Sequence, residues 1–315
     1  MARFLIRRLG HGLLVLWLIS MAVFALFFIA PSNVAQTLAG RQATPETIAL
    51  IQHRLGLDLP VWKQYLNFVT NAVQGNLGYD YYHQVAVTEI IRQALPITLS
   101  LALGAAVIWL VLGVVNGVVS ATHPRGIADR GLTVFSLVFY SMPSFLLGLI
   151  LLYFLYFKLT LAGHEWFPAG GYVPLSQGVG PWAQHLVLPW LALALISAAT
   201  YTRLTRGAML DVLGEDYIRT ARSKGVSENR VVYRHALRSA LTPVLTQFGI
   251  DVGGVVVIET VFSMPGLGKT AFDALGQQDL PVIIGIVLLG SAAVVAANIV
   301  VDLMYAVLDP RVRIH

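Results

Sequence analysis

The segment Ile97-Thr-Leu-Ser-Leu-Ala-Leu-Gly-Ala-Ala-Val-Ile-Trp-Leu-Val-Leu-Gly-Val-Val-Asn-Gly-Val-Val-Ser-Ala121 has no charged residue anywhere along it and reads as a membrane-crossing helix. About 20 apolar residues in helical form match the hydrocarbon core of a bilayer. Working outward, five further blocks of this kind lie at Gly12–Ala30, Leu132–Phe157, Leu186–Thr202, Leu241–Phe262 and Val282–Val307. They account for the composition: 57% of the 315 residues are hydrophobic and 12% are charged, where a soluble domain carries about 25% charged. The expected fold class is all-α, a polytopic membrane protein with six transmembrane helices. The expected organisation is a segment 1–30 with the first span, an external helical loop 31–96, and a core bundle 97–315 containing a cytoplasmic loop 203–240.

Charge placement orients the bundle. Fifteen of the 21 Lys and Arg residues fall on the side that carries the N-terminus, the second-to-third and fourth-to-fifth loops and the tail. The positive-inside rule assigns that side, and both termini, to the cytoplasm. The net charge of +5 is therefore a membrane signature, and no nucleic-acid partner is expected. Arg3, Arg7 and Arg8 before Gly12–Ala30 resemble the start of a signal peptide, but the apolar stretch is long and no convincing small-x-small cleavage site follows it, so an uncleaved first span is expected. The chain has no cysteine, which excludes disulfides, iron–sulfur clusters and cysteine-ligated zinc.

The external loop Pro31–Pro96 has helix signals of its own. Thr44-Pro45-Glu46 supplies an N-cap residue, a proline at the first helical position and an early acid, and Gly56 is placed to end that helix. Asp58-Leu59-Pro60 starts another, with Trp62, Tyr65, Leu66 and Val69 at helical spacing. Gly75 and Gly78 turn the chain before Val85–Leu95 leads helically into the second span. The residues fit either a lid on the bundle or a docking surface for an external partner.

On the opposite face the sequence runs Gly214-Glu-Asp-Tyr-Ile-Arg-Thr-Ala-Arg-Ser-Lys-Gly225. Glu215 and Asp216 complement the positive end of a helix dipole. Lys224 suits the other end, and Gly225 tolerates the left-handed conformation that closes a helix. A short helix is expected there, with Ser227 capping a second helix along Val231, Val232, His235 and Leu237, and Pro243 at the membrane re-entry. Physics alone leaves two readings equal: a connector held at the lipid headgroups, or a knob that inserts into a cytoplasmic partner.

The segment Asp216-Tyr-Ile-Arg-Thr-Ala-Arg-Ser-Lys-Gly225, with His235-Ala-Leu-Arg238 and Pro243-Val-Leu-Thr246, resembles the EAA loop of ATP-binding-cassette importer permeases. The likeness is strongest to the B-type permeases of the dipeptide/oligopeptide family. Gly75-Asn-Leu-Gly78, Ser141-Met-Pro-Ser-Phe145 with Gly148, Glu259-Thr-Val-Phe262 with Pro265-Gly-Leu-Gly268, and Val301-Asp302 through Tyr305-Ala306 to Leu308-Asp-Pro-Arg311 agree with it in order and spacing. The EAA triplet departs to Arg219-Thr220-Ala221, and its terminal Leu-Pro to Leu237-Arg238; Asn76 and Asp80 replace the more usual residues of the external turn.

The resemblance implies a pore made with a homologous second permease as a heterodimer, two cytoplasmic ATPases, and an extracytoplasmic substrate-binding protein, in a bacterial or archaeal cytoplasmic membrane. ATP and magnesium would be bound by the ATPases, and no cofactor by this chain. The helix around Glu215, Asp216, Tyr217, Ile218, Thr220, Ala221, Arg222, Lys224 and Gly225 would couple to an ATPase, with Tyr217, Ile218, Ala221, Arg222 and Gly225 as its contacts. Short peptides are the implied cargo, with nickel complexes or glutathione as the alternative within the same architecture.

Intramembrane polar residues are costly and mark pathways. Asp251, Pro143, Ser141 and Asn116 are the pore or gate candidates, and Glu259 is read as a structural acid. Pro143 should kink the third span. Gly113-x-x-x-Gly117 and Gly249-x-x-x-Gly253 permit close helix packing. Gly268-Lys269-Thr270 imitates the end of a phosphate-binding loop, but Ser263 stands where the motif needs its first glycine. The eight histidines show no His-Glu-x-x-His or paired spacing, so no metal site is expected. An ion-coupled secondary transporter would need an internal repeat and paired intramembrane charges, and an intramembrane enzyme a nucleophile–base pair; neither pattern is present.

Overall fold

The computed structural model describes residues 2–29, 35, 44–54, 56–80, 83–248 and 255–308. Asp251 and the Gly249/Gly253 pair lie outside these described residues, as does the tail from 309 onward. Among the described residues the regular secondary structure is helical apart from one two-stranded hairpin. Five helices are long and apolar enough to cross a membrane: Ile6–Ile29, Val87–Thr122, Ser144–Leu161, Val179–Leu213 and Leu280–Val301. They fall on the first, second, third, fourth and sixth expected spans. The expected fifth span is represented by Leu237–Phe248 and Val255–Val261, on either side of undescribed residues.

The third span departs from expectation. Pro143 does not kink one helix; it separates two. Ile127–Ser141 ends at Met142, whose backbone is extended (φ −83°, ψ 131°), and Pro143 then caps Ser144–Leu151. A residue before proline is sterically driven out of the helical region, which is why the break falls at Met142. The fourth helix is also longer than its expected span, running 35 residues from Val179 to Leu213 with Pro189 inside it. At 1.5 Å per residue it spans about 50 Å, more than the hydrocarbon core, so its Arg203–Leu213 end continues into the expected cytoplasmic loop.

The contacts divide the chain into two compact units: residues 1–96 with 269–299, and 97–268 with 300–315. In the first unit, Ala2–Phe24 continues in π-helical form through Ala25–Ile29. Its Phe24 and Phe28 pack with Tyr65 and Phe68 of the helix Val61–Val73, and Ser20 Oγ lies 2.8 Å from Tyr65 Oη. A Cβ on Gly12 would meet Val295 Cγ1 at 2.9 Å, which explains the close approach of the first helix to Leu280–Leu308. Gly56 has φ +65° just after the helix Pro45–Arg54. The hairpin pairs Tyr79 with Ala86 and Asp80 with Val85.

The second unit is organised around the helix Val179–Leu213. Its Trp190, Tyr201 and Thr205 fill the space left by Gly104, Gly113 and Gly117 of Val87–Thr122; a Cβ on any of these glycines would come within 2.2–2.4 Å of those side chains. Trp190 Nε1 donates to the Ser100 carbonyl at 2.9 Å. Trp109, Tyr201 and Phe248 form an aromatic cluster in the same core. The opposite side of the second helix exposes Leu99, Leu103, Val107, Val111, Val115 and Val119, an unbroken i, i+4 stripe suited to lipid or another helix.

Candidate coupling site

The expected short helix forms over Asp216–Ser223, with Glu215 as its extended N-cap residue (ψ 149°) and Lys224 after its last turn. Asp216 lies in the first turn and Arg222 in the last, both favourable to the helix dipole. Gly225 follows at φ +77°, a left-handed conformation that glycine adopts without a side-chain clash. Ser227 takes the capping backbone conformation for Glu228–Arg230, and the chain then widens into a π-helical turn over Val231–Ala236 before continuing as Leu237–Phe248 with Pro243 inside it.

The helix is strongly two-sided. Ile218 has no exposed surface. It packs in a cluster with Val118, Ala121, Met209, Val231, Val232, Ala236 and Ala240, and Ala221 packs half-buried against the same cluster. Glu215, Asp216, Tyr217, Thr220, Arg222, Lys224 and Gly225 are exposed. Ile218, expected among the contacts of a partner, therefore faces the chain's own core and anchors the helix instead. The wide π turn matters here, because it brings Val231, Val232 and Ala236 onto the side that Ile218 enters.

Polar contacts fix the exposed side. Arg222 Nη2 and Nε donate to the Glu228 carboxylate at 2.7 and 3.1 Å. Their pairing holds the Glu228 carboxyl below its ordinary range, and it spans the turn at Gly225. Tyr217 Oη donates to Ser239 Oγ at 3.3 Å, and Arg219 reaches Asp216 within the helix.

A second constellation escaped the sequence reading. Asp129, 4% exposed at the head of Ile127–Ser141, accepts from Arg206 Nε at 2.7 Å and Nη2 at 2.9 Å, from the Arg125 amide at 2.8 Å, and from the Ser120 hydroxyl. Arg206 Nε also donates to Ser120 Oγ at 3.0 Å. The Arg206 guanidinium, then Ser120 and the Arg125 amide, hold the Asp129 carboxyl far below the usual carboxylate range. Three segments are pinned by this one carboxylate: the end of the second helix, the loop after it, and the C-terminal part of the fourth. Nearby, the Arg203 guanidinium lies 4.1 Å from the Tyr140 ring centroid. Arg203 and Arg206 had been counted only as orienting charges. The available signal was Asp129, the sole acid between two arginines in a short loop.

The other expected site residues lie apart from this arrangement. Ser141 Oγ donates to the Leu137 carbonyl of its own helix at 2.8 Å. Pro143 is exposed at the break, and Asn116 sits half-buried on the second helix beside Gly117. Glu259 is fully buried: Thr98 Oγ1 donates to its Oε1 at 2.6 Å and the Gly268 amide to its Oε2 at 2.8 Å. Thr98 Oγ1 in turn accepts from the Leu267 amide at 2.8 Å. The carboxylate thus holds the loop that starts the helix Leu267–Gln277. Lys269, from the apparent phosphate-loop fragment, pairs with Asp273 at 2.6 Å.

Comparison with known proteins matches residues 113–314 to the family described as binding-protein-dependent transport system inner membrane component, and residues 1–102 to the N-terminal region of such membrane components. The chain is 38% identical, over 99% of its length and 100% of the relative's, to a probable peptide ABC transporter permease protein of Sinorhizobium fredii. It is 38% identical, over 99% of both chains, to the di/tripeptide transport system permease protein of Pseudomonas aeruginosa. It is 36% identical, again over 99% of both chains, to a glutathione transport system permease protein of Escherichia coli.

Proposed function

This chain belongs to the family of binding-protein-dependent transport system inner membrane components, and on that premise we propose that it forms one half of a peptide-conducting pore driven by separate ATPases. The observation that carries the coupling role is the two-sided helix Asp216–Ser223: Ile218 is locked into the core while Tyr217, Thr220 and Arg222 face outward. A partner that seats on the exposed side moves a helix joined by buried contacts to Met209 and to Val118 and Ala121. Displacement there passes to the second and fourth helices as a rigid push, because a packed interior transmits strain. Asp129, on the helix Ile127–Ser141, ties the same two helices together through a second route, bonded to Ser120 of the second and Arg206 of the fourth.

The remaining partners follow from the family and from surface chemistry. A homologous permease pairs as the other half of the pore, and the apolar stripe from Leu99 to Val119 supports a helix partner or lipid along that face. An external binding protein delivers the substrate, and two ATPases bind ATP and magnesium on the cytoplasmic side. This chain performs no bond chemistry. Short peptides are the proposed cargo because the relatives named for peptides align along the whole chain. The glutathione permease supports a second cargo reading, and glutathione is itself a small peptide.

The test is reconstitution. Co-expressed with its second permease and ATPases in nanodiscs, the wild-type complex should hydrolyse ATP faster when peptide-loaded binding protein is added. Replacing 217–224 by a Gly-Ser linker should release the ATPases while membrane insertion persists. Peptide uptake by this chain alone, or ATPase retention by the linker variant, would overturn the proposal.

A further inference from the structure

We propose that Asp80, His83 and Asp279 form a binding site for a divalent first-row transition-metal cation, with zinc the best chemical fit, stapling the hairpin to the start of the last helix within the first unit. The proposal rests on the geometry of that unit and stands or falls independently of the transport reading.

One potential ligand atom from each of the three residues lies within 4.8 Å of the others. Asp80 ends the first hairpin strand and is 1% exposed; Asp279 precedes the helix Leu280–Leu308 and is 2% exposed. Asp279 Oδ1 accepts the Val282 amide at 3.3 Å, while its Oδ2 is buried and accepts from no N–H or hydroxyl group; the Asp80 carboxyl lies within hydrogen-bond reach of the Asp279 carboxyl. Asp80 Oδ1 accepts the His83 amide at 3.0 Å, and Asp80 Oδ2 lies 2.6 Å from His83 Nδ1. Each carboxylate is thus oriented through one oxygen by a backbone amide while its other oxygen faces the cluster. That is how supporting contacts orient the ligands of a metal centre.

Two buried carboxylates side by side need compensation, since a buried charge is tolerated only when paired or metal-bound. The donor set selects the cation. Calcium and magnesium prefer shells of oxygen, whereas imidazole nitrogen with carboxylate oxygen suits zinc and its neighbours. The His83 side chain is 61% exposed, giving an entry path and room for water in the fourth tetrahedral position. The cation would replace the proton now shared between His83 Nδ1 and Asp80 Oδ2. The surrounding packing is already close: a Cβ on Gly78 would lie 3.3 Å from Pro281, and one on Gly285 2.6 Å from Val87. The metal would therefore fasten elements already in contact. Local spacing hides such a site, because its third ligand comes from the other end of the chain.

The experiment uses the assembled transporter in nanodiscs, stripped with chelator and titrated with zinc chloride. Wild type should retain about one zinc per copy of this chain after desalting, by elemental analysis, with a rise in thermal midpoint on zinc addition. Asp279→Asn should weaken retention at least about tenfold, and so should His83→Gln, whose exposed position leaves folding intact. Wild type that retains no zinc, as expected of a carboxyl pair holding a shared proton instead, would overturn the proposal. So would zinc retention unchanged in both variants.

Discussion

Arg206 grips Asp129 with two parallel hydrogen bonds, 2.7 Å from Nε and 2.9 Å from Nη2, joining the start of one helix to the C-terminal part of another. A fork of this kind fixes direction as well as distance, which a lysine ammonium cannot reproduce. Arg206→Lys should therefore keep the charge and the assembled complex but loosen the joint. The expected result is continued ATP hydrolysis with roughly fivefold or greater loss of peptide imported per ATP, within the range of ordinary coupling energies. An unchanged transport-to-hydrolysis ratio would reduce the pair to a folding element.

The same pair has a pH signature. Asp129 is held below its ordinary range chiefly by Arg206, then by Ser120 and the Arg125 amide. A group with a depressed folded pKa adds stability that is fully present above its unfolded pKa, about 4 for aspartate, and is lost as pH falls through the lower folded value. Wild type should melt above Asp129→Asn at pH 7, and the gap should shrink in strong acid, below pH ~4. Thermal melts of the detergent-solubilised complex across that range check the sign; a gap that widens in acid contradicts it.

Neighbouring residues of the coupling helix should separate stability from partnership. Ile218 is wholly buried and Tyr217 is 46% exposed. Ile218→Ala leaves a cavity and should cost about 2–5 kcal/mol, seen as a lower melting temperature and reduced yield. Tyr217→Ala should leave the melt within about 0.5 kcal/mol of wild type, as surface changes do, while weakening ATPase co-purification. If both variants behave alike, the two-sided reading of this helix is wrong.

Those two residues also show how far the sequence could be read. The short helix and its glycine stop were legible because capping and left-handed backbone are local demands. Ile218's orientation was not, because it is settled by Met209 and the π turn at Val231–Ala236, neither of which leaves a mark in local periodicity. Pro143 was legible as a disturbance but not as a full break; the outcome was decided by the extended backbone of Met142. The Asp129–Arg206 pair joins residues that the hydropathy reading placed in separate loops, and charge counting treats each alone.

The glycine contacts were better announced. Gly113 and Gly117 stood out by spacing, and Gly104, on the same helix, meets the same neighbouring helix, with the Trp190 indole 2.2 Å from where its Cβ would be. Gly104→Ala should destabilise the second unit by about 1–3 kcal/mol through overpacking. Gly131, helical and with open space where a Cβ would go, is the control. Gly131→Ala should be neutral or stabilising by up to about 1 kcal/mol. Melting temperatures of the two variants measured side by side decide the matter, and equal losses would remove the packing explanation.

Glu259 offers the most selective test, because its two oxygens do different jobs. Oε2 accepts the Gly268 amide and Oε1 accepts the Thr98 hydroxyl, which is already accepting the Leu267 amide. A glutamine can present its oxygen to only one of these donors. With the oxygen toward Gly268, its amide group meets Thr98 and leaves the hydroxyl proton without its acceptor. In the other orientation two N–H donors face each other at Gly268. Either way a buried donor is left unsatisfied, at a cost of about 1–3 kcal/mol. Gly266→Ala should do comparable harm by another route, since its Cβ would fall 2.2 Å from Glu259 Oε1. Both variants should therefore melt lower and open the 263–268 loop to protease added outside spheroplasts, while Thr260→Ala, exposed one residue along, should do neither. Protection of that loop in Glu259→Gln equal to wild type would show that the carboxylate does not hold it.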